Sequence, residues 1–178
     1  MPVESSYQLI EVKVQTLQQI FNSMDPSPFH MRDLDREAEE FVVSWAKEYS
    51  SRKPYKLIVH LAQVTDRPDA ERILGESMRN YFTYRADMNH RELKQLLQYG
   101  WMTLLIAVLF LGICVSLAQA VSHHTTQLHP ILREGLTILG WVAMWRPLDV
   151  YLYQWWPLHR LGRIYQGLSQ MPVEIKPS

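Results

Sequence analysis

The sequence predicts an α+β fold, a small N-terminal cytosolic β-α-β-α domain followed by a two-helix transmembrane hairpin. Three observations carry this expectation. Residues 101–121, WMTLLIAVLFLGICVSLAQAV, hold no charged side chain, and at ~1.5 Å rise per residue such a helix matches a hydrocarbon core ~30 Å thick. Residues 132–154 form a second apolar and aromatic run, interrupted by Arg133, Glu134, Arg146 and Asp149. Ahead of both, strand-like and helix-like periodicities alternate. The expected boundaries are a soluble domain over 1–88, a membrane-entry helix and hairpin over 89–156, with spans at about 101–121 and 132–154, and a cytosolic amphipathic tail over 157–178.

In chain order, residues 7–14 alternate Leu9, Glu11 and Lys13 with Ile10, Val12 and Val14, the pattern of a strand with one buried face. Ala38, Phe41, Val42, Trp45, Ala46 and Tyr49 then recur at helical spacing, opposed by Glu37, Glu39, Glu40, Ser44, Lys47 and Glu48. Asp33 or Asp35 is the expected N-cap. The run KLIVHL at 56–61 is almost continuously apolar and suits a strand covered on both sides. Strand, helix and strand in this order predict a right-handed βαβ unit. Two strands alone are marginal, so support is expected from self-association, a partner or the membrane-proximal helix. That helix begins near Pro68 and carries Ile73, Leu74, Met78, Tyr81, Phe82 and Met88. Asn89 with Glu92 fits a capping box and Met88 with Leu93 a staple, predicting a fresh helix that enters the first span.

The charges balance at 18 basic and 18 acidic and are interspersed, so no field is present that would hold a nucleic-acid backbone. Cys114, the one cysteine, stands within the most apolar stretch and excludes an intramolecular disulfide or a polythiolate zinc site. The first residues carry Glu4 and no apolar run, so no secretory signal is expected. Arg85, Arg91 and Lys94 precede the first span and Arg160 and Arg163 follow the second, which predicts cytosolic termini. Arg160 and Arg163 would then be available to anionic headgroups.

No Walker loop, dinucleotide fingerprint, HExxH or nucleophile elbow occurs, and no catalytic residue or cofactor is expected. Asp25, His30, Asp33, Asp35 and His60 could serve a metal-dependent hydrolase, but turns, caps and an ordinary strand histidine account for them. His123, His124 and His129 are weak metal candidates in the connecting loop, where a solvated polar connector is the simpler reading. The sharpest feature is WRPLDVYLYQWWP, 145–157. If Trp155 and Trp156 share an interface with Trp101, Arg146 lies ~14 Å deeper along a straight helix, neutralised by Asp149. Gly112, Ser116 and Ala120 form a small-residue stripe that suits close helix packing.

The sequences FNSMDPSPF at 21–29, RDLD at 32–35 with AEEF at 38–41, WRPL at 145–148 and Trp156-Pro157 resemble a family of small uncharacterised bacterial inner-membrane proteins. The resemblance spans nearly the whole chain and implies that location without implying a chemistry. The expected function is a non-enzymatic membrane-anchored binding or assembly module, in contact with the bilayer and with a homo-oligomer or another membrane protein. The alternatives are an oligomeric channel or transporter subunit using Arg146 and Asp149, and the membrane-tethered hydrolase.

Overall fold

The computed structural model describes residues 7–22, 33–49, 53–62, 69–121 and 129–177, with the side chains of Val121 and His129 left aside. Strand β1 (Gln8–Val14) is followed by a 3-10 turn (Leu17–Ile20), helix α1 (Arg36–Glu48), strand β2 (Tyr55–Leu61) and helix α2 (Ala70–Val121). Helix α3 (His129–Asp149) leads through a π-helical turn (Val150–Gln154) into α4 (Trp155–Ser169) and strand β3 (Val173–Pro177). The chain divides into two compact units: Met1–Asn89 with Arg160–Ser178, and His90–His159.

The first unit corrects the predicted N-terminal β-α-β-α domain. Its sheet has three parallel strands in the order β1-β2-β3, and the third comes from the far end of the chain. The marginal two-stranded sheet is thus completed by residues that the sequence reading assigned to a tail. Alternation turns Tyr55, Leu57, Val59 and Leu61 of β2 to one face, where they join Ile10 of β1 in the core. Val42, Val43 and Ala46 of α1, Leu74, Met78 and Phe82 of α2, and Ile164, Tyr165 and Leu168 of α4 close over that face. The other face is not the second helical layer expected of β2. It carries the ion pair Lys56–Glu174 at 2.7 Å and a contact of His60 Nε2 with the Glu11 carboxylate at 3.5 Å, with Ile58 buried beneath them.

Helix α1 forms where expected because its ends are satisfied. The Asp35 carboxylate accepts from the Glu37 amide at 2.9 Å. At the other end Tyr55 Oη donates to the Ala46 carbonyl at 3.2 Å and Arg160 to the Lys47 carbonyl at 3.1 Å, capping carbonyls that the helix itself leaves open. Arg160 is therefore a cap for α1, a role the sequence does not show. An isolated bridge between Phe21 and Leu34, both buried, brings the chain back to the start of α1.

The predicted hairpin is corrected as well. Helix α2 is one helix of 52 residues with no fresh start at Asn89; Asn89 is buried, 3.5 Å from where a Cβ on Gly162 would stand. Among the described residues only α2 is long and apolar enough to cross a membrane, and its apolar window is 17% buried. The predicted second span does not end as a hairpin arm: α3 passes through Pro147 without breaking and continues in helical winding to Ser169. The proline lacks the N–H that would bond the Ala143 carbonyl, and the winding widens to a π turn directly afterwards.

Within the second unit the helices approach at glycines. A Cβ on Gly140 would meet Leu111 Cδ1 at 2.7 Å and Cys114 Cβ at 3.3 Å, and one on Gly100 would meet Val150 Cγ1 at 2.8 Å. Ala107, Cys114 and Ala118 are buried on α2. Their spacing of seven and four residues is that of a helix seam.

Candidate functional site

Two regions concentrate features beyond ordinary packing. The first is the surface of the second unit. Trp101, Met102, Ile106, Leu109 and Ile113 of α2 are exposed, as are Trp141, Val142 and Trp145 of α3. Only 17% of the apolar window of α2 is buried, with Ala107, Cys114 and Ala118 on its covered side, whereas the core helix of a soluble protein is mostly buried.

The Arg146–Asp149 pair is formed, with Nη1 to Oδ2 at 3.7 Å and side chains 64% and 33% exposed. Asp149 also accepts from Gln154 Nε2 at 2.6 Å, and the Trp155 indole donates to the Tyr151 carbonyl at 2.6 Å within the π turn. The structure gives the level of Arg146 relative to Trp101 along the paired helices. Gly100 lies against Val150, so Trp101 is level with the π turn rather than with Trp155 and Trp156. Arg146 is four residues from Val150, ~6 Å along the helix. A long guanidinium stem spans that distance, so Arg146 can reach the level of Trp101.

The stripe Gly112, Ser116, Ala120 is exposed in the chain, and a Cβ on Gly112 would meet nothing within 4 Å. Ser116 Oγ bonds the Gly112 carbonyl at 2.8 Å. The close approach inside the unit uses Gly140 and Gly100 instead, glycines that no i, i+4 pattern marks. Cys114 is a packing residue of that seam.

The second region joins α1, α2 and α4 in the first unit. Glu39 accepts from Tyr81 Oη at 2.7 Å and from Arg85 Nε at 2.7 Å, and Arg85 Nη2 donates to Tyr165 Oη at 3.1 Å. The guanidinium carbon lies 5.4 Å from the centroid of the Tyr165 ring. Burial, then the hydrogen bond to Glu39 and its charge, push the Tyr81 phenol far above the ordinary tyrosine value. Burial likewise raises Tyr165, with Arg85 opposing. Both phenols are thus kept neutral, Tyr81 donating to Glu39 while Tyr165 accepts from Arg85 and makes a longer 3.5 Å hydrogen bond to Glu39, an arrangement that clamps three helices. Sequence reasoning missed the cluster because its members stand far apart in the chain.

A cavity of about 170 Å³ opens beside β1, lined by Val12, Val14, Ala38, Phe41, Leu57 and Met78 and rimmed by Asp35 and Glu37. Of the other predicted candidates, Asp35 caps α1 and His60 pairs with Glu11. Asp25, His30, His123 and His124 lie outside the described residues, as does the side chain of His129. Among the described residues no three His, Cys, Asp or Glu side chains are grouped to hold a metal. No family model, curated protein or solved structure matches the chain.

Proposed function

We propose that this protein is a non-enzymatic, membrane-anchored assembly module, a subunit of a homo-oligomer or larger membrane complex. The observation that carries the reading is α2, whose apolar window is 17% buried within the chain. Lipid or a partner's helices must cover such a surface in an aqueous cell. Trp101 marks one end of the apolar stretch, with Lys94 and Arg91 exposed in the preceding turns, the order found where a helix leaves a bilayer. In this reading Arg146 is an interfacial anchor whose charge reaches the headgroups, and Asp149 and Gln154 orient it. The exposed stripe Gly112, Ser116, Ala120 is then available to a helix from another chain. The resemblance to small bacterial membrane proteins implies the bacterial inner membrane as the location.

The test is expression of the full chain at low level in a bacterium, followed by alkaline carbonate extraction and native mass spectrometry in mild detergent. Retention in the membrane pellet with a defined oligomeric or heteromeric mass supports the reading. Release at alkaline pH as a soluble species refutes anchoring, and a strict monomer refutes assembly.

A further inference from the structure

We infer that β1 is a self-association edge, on which a second copy of this chain adds its own β1 antiparallel. The inference rests on the assembly reading above and names the surface that carries it. In the sheet order β1-β2-β3, β1 has a neighbour on one side. Gln8 N bonds the Pro54 carbonyl at 2.8 Å and Ala62 N bonds the Val14 carbonyl at 3.1 Å. In a parallel ladder these two bonds fix which residues face β2: the even-numbered ones. The amides and carbonyls of Leu9, Glu11 and Lys13 therefore point away from the sheet, and among the described residues none of them has a backbone partner there.

Exposed edges are commonly protected by charge, but here the charges are self-complementary. Glu11 and Lys13 carry opposite signs two residues apart, both with exposed side chains on the outer face. An antiparallel pairing with its two-fold axis at Val12 sets Glu11 opposite Lys13 of the second copy, and Lys13 opposite its Glu11. These are edge-facing residues, so each pair exchanges both backbone hydrogen bonds. Moving the axis to Glu11 would set two carboxylates face to face, which selects the Val12 register. The amide of Gln15 is held by its own Gln19 side chain at 2.9 Å, which ends the donor row just beyond Lys13.

The inner face agrees with this register. Val12 and Val14 are half-buried and line the cavity beside β1 together with Phe41, a large side chain that is 41% exposed. The axis brings Val12 against its own copy, covering that half-buried side chain, and sets Val14 opposite Ile10, which its own chain already buries. The interface is isologous and closed, so it yields a dimer rather than a fibre.

The experiment uses the full chain in mild detergent with Cys114→Ala, so that Val12→Cys supplies the one thiol. Directly opposed residues at a non-hydrogen-bonded site lie ~4.5 Å apart at Cα, within reach of a disulfide, so mild oxidation should give a cross-linked dimer. Lys13→Glu in the same background should slow cross-linking by about tenfold, because attraction at two sites becomes repulsion. The swap Glu11→Lys with Lys13→Glu should restore it, which separates pairing from folding. No cross-link at position 12, or a rate indifferent to both variants, overturns the inference. A protein that stays in membranes without cross-linking leaves the anchoring reading standing, whereas one that cross-links without membrane retention leaves this inference standing.

Discussion

Removing the carboxylate of Glu39 tests whether the three-helix clamp holds the first unit together. The side chain is 13% exposed and accepts two bonds of 2.7 Å, from Tyr81 and from Arg85. A hydrogen bond to a charged group contributes about 1.5–3 kcal/mol. Arg85 is 39% exposed, so its share is screened toward about 1 kcal/mol, whereas the half-buried bond from Tyr81 keeps about 2 kcal/mol. Glu39→Ala should therefore cost about 3 kcal/mol, with Arg85 retaining its bond to Tyr165. Hydrogen exchange at the amides of Leu57 and Val59, in the central strand, isolates the first unit from the apolar helices. Exchange there should quicken by about a hundredfold if these amides open with the whole unit. Double-mutant cycles should give a larger coupling of Glu39 with Tyr81→Phe than with Arg85→Ala. Exchange that quickens less than about threefold, or strictly additive cycles, would show that the cluster is a solvated surface pair.

Gly140→Leu should cost more than 1 kcal/mol in detergent unfolding, since its Cβ alone would stand 2.7 Å from Leu111 Cδ1 and 3.3 Å from Cys114 Cβ. Gly112→Leu should leave unfolding of the dissociated chain unchanged because nothing of its own lies within 4 Å, and the reverse ranking there would refute the seam. The hydrogen bond from Lys56 holds the Glu174 carboxyl below the usual carboxylate range. A depressed folded pKa means that this stabilisation is present above the unfolded value and lost as pH falls through the folded one. Lys56→Met should thus flatten the acid limb of a stability–pH curve while leaving its alkaline limb alone. Burial raises the phenols of Tyr55, Tyr81 and Tyr165, so an absorbance titration should lose amplitude above the free-tyrosine range when each is replaced by Phe. Their stabilisation is fully present below the ordinary value near 10 and is lost as pH rises through the folded values; Phe variants whose lost amplitude lies in the ordinary tyrosine range would contradict the clamp.

Local pattern made the elements of the first unit readable, because their signals are local. Alternation at Leu9–Val14, helical spacing from Ala38 to Ala46, and Asp35 before the helix each report on near neighbours. The partner of β2 was not readable, since Val173 and Ile175 alternate over only a few residues beside Pro172. A run so short and only partly apolar resembles a tail until β2 provides its ladder. The capping box at Asn89 misled for a related reason. Asn and Glu three apart satisfy a helix start only if the preceding residues leave the helix. Here the packing of Leu74, Met78 and Phe82 against the sheet holds them in it. Arg146 and Asp149 were legible as a pair because they share a helix turn. Their level relative to Trp101 was not, because it depends on Gly100 meeting Val150, a contact that no sequence period encodes.

The place of β3 makes the two ends of the chain interdependent. Leu57 to Leu61 pair with Val173 to Pro177, so β2 cannot become a central strand until the polypeptide has passed through the entire apolar unit and returned. Until then the exposed edge of β2 would carry the apolar run of Leu57, Ile58 and Val59, a segment prone to pairing elsewhere. Deleting residues 173–178 should leave the second unit intact but open this edge and remove the Lys56–Glu174 pair. Amides of β2 should then exchange rapidly and the protein should aggregate, while α2 keeps its affinity for detergent or lipid. A truncated chain whose β2 amides stay protected would mean that β1 and the helices α1, α2 and α4 suffice to hold β2. The parallel ladder, sequentially distant and slow to form, is otherwise the step that couples folding of the first unit to prior placement of the second.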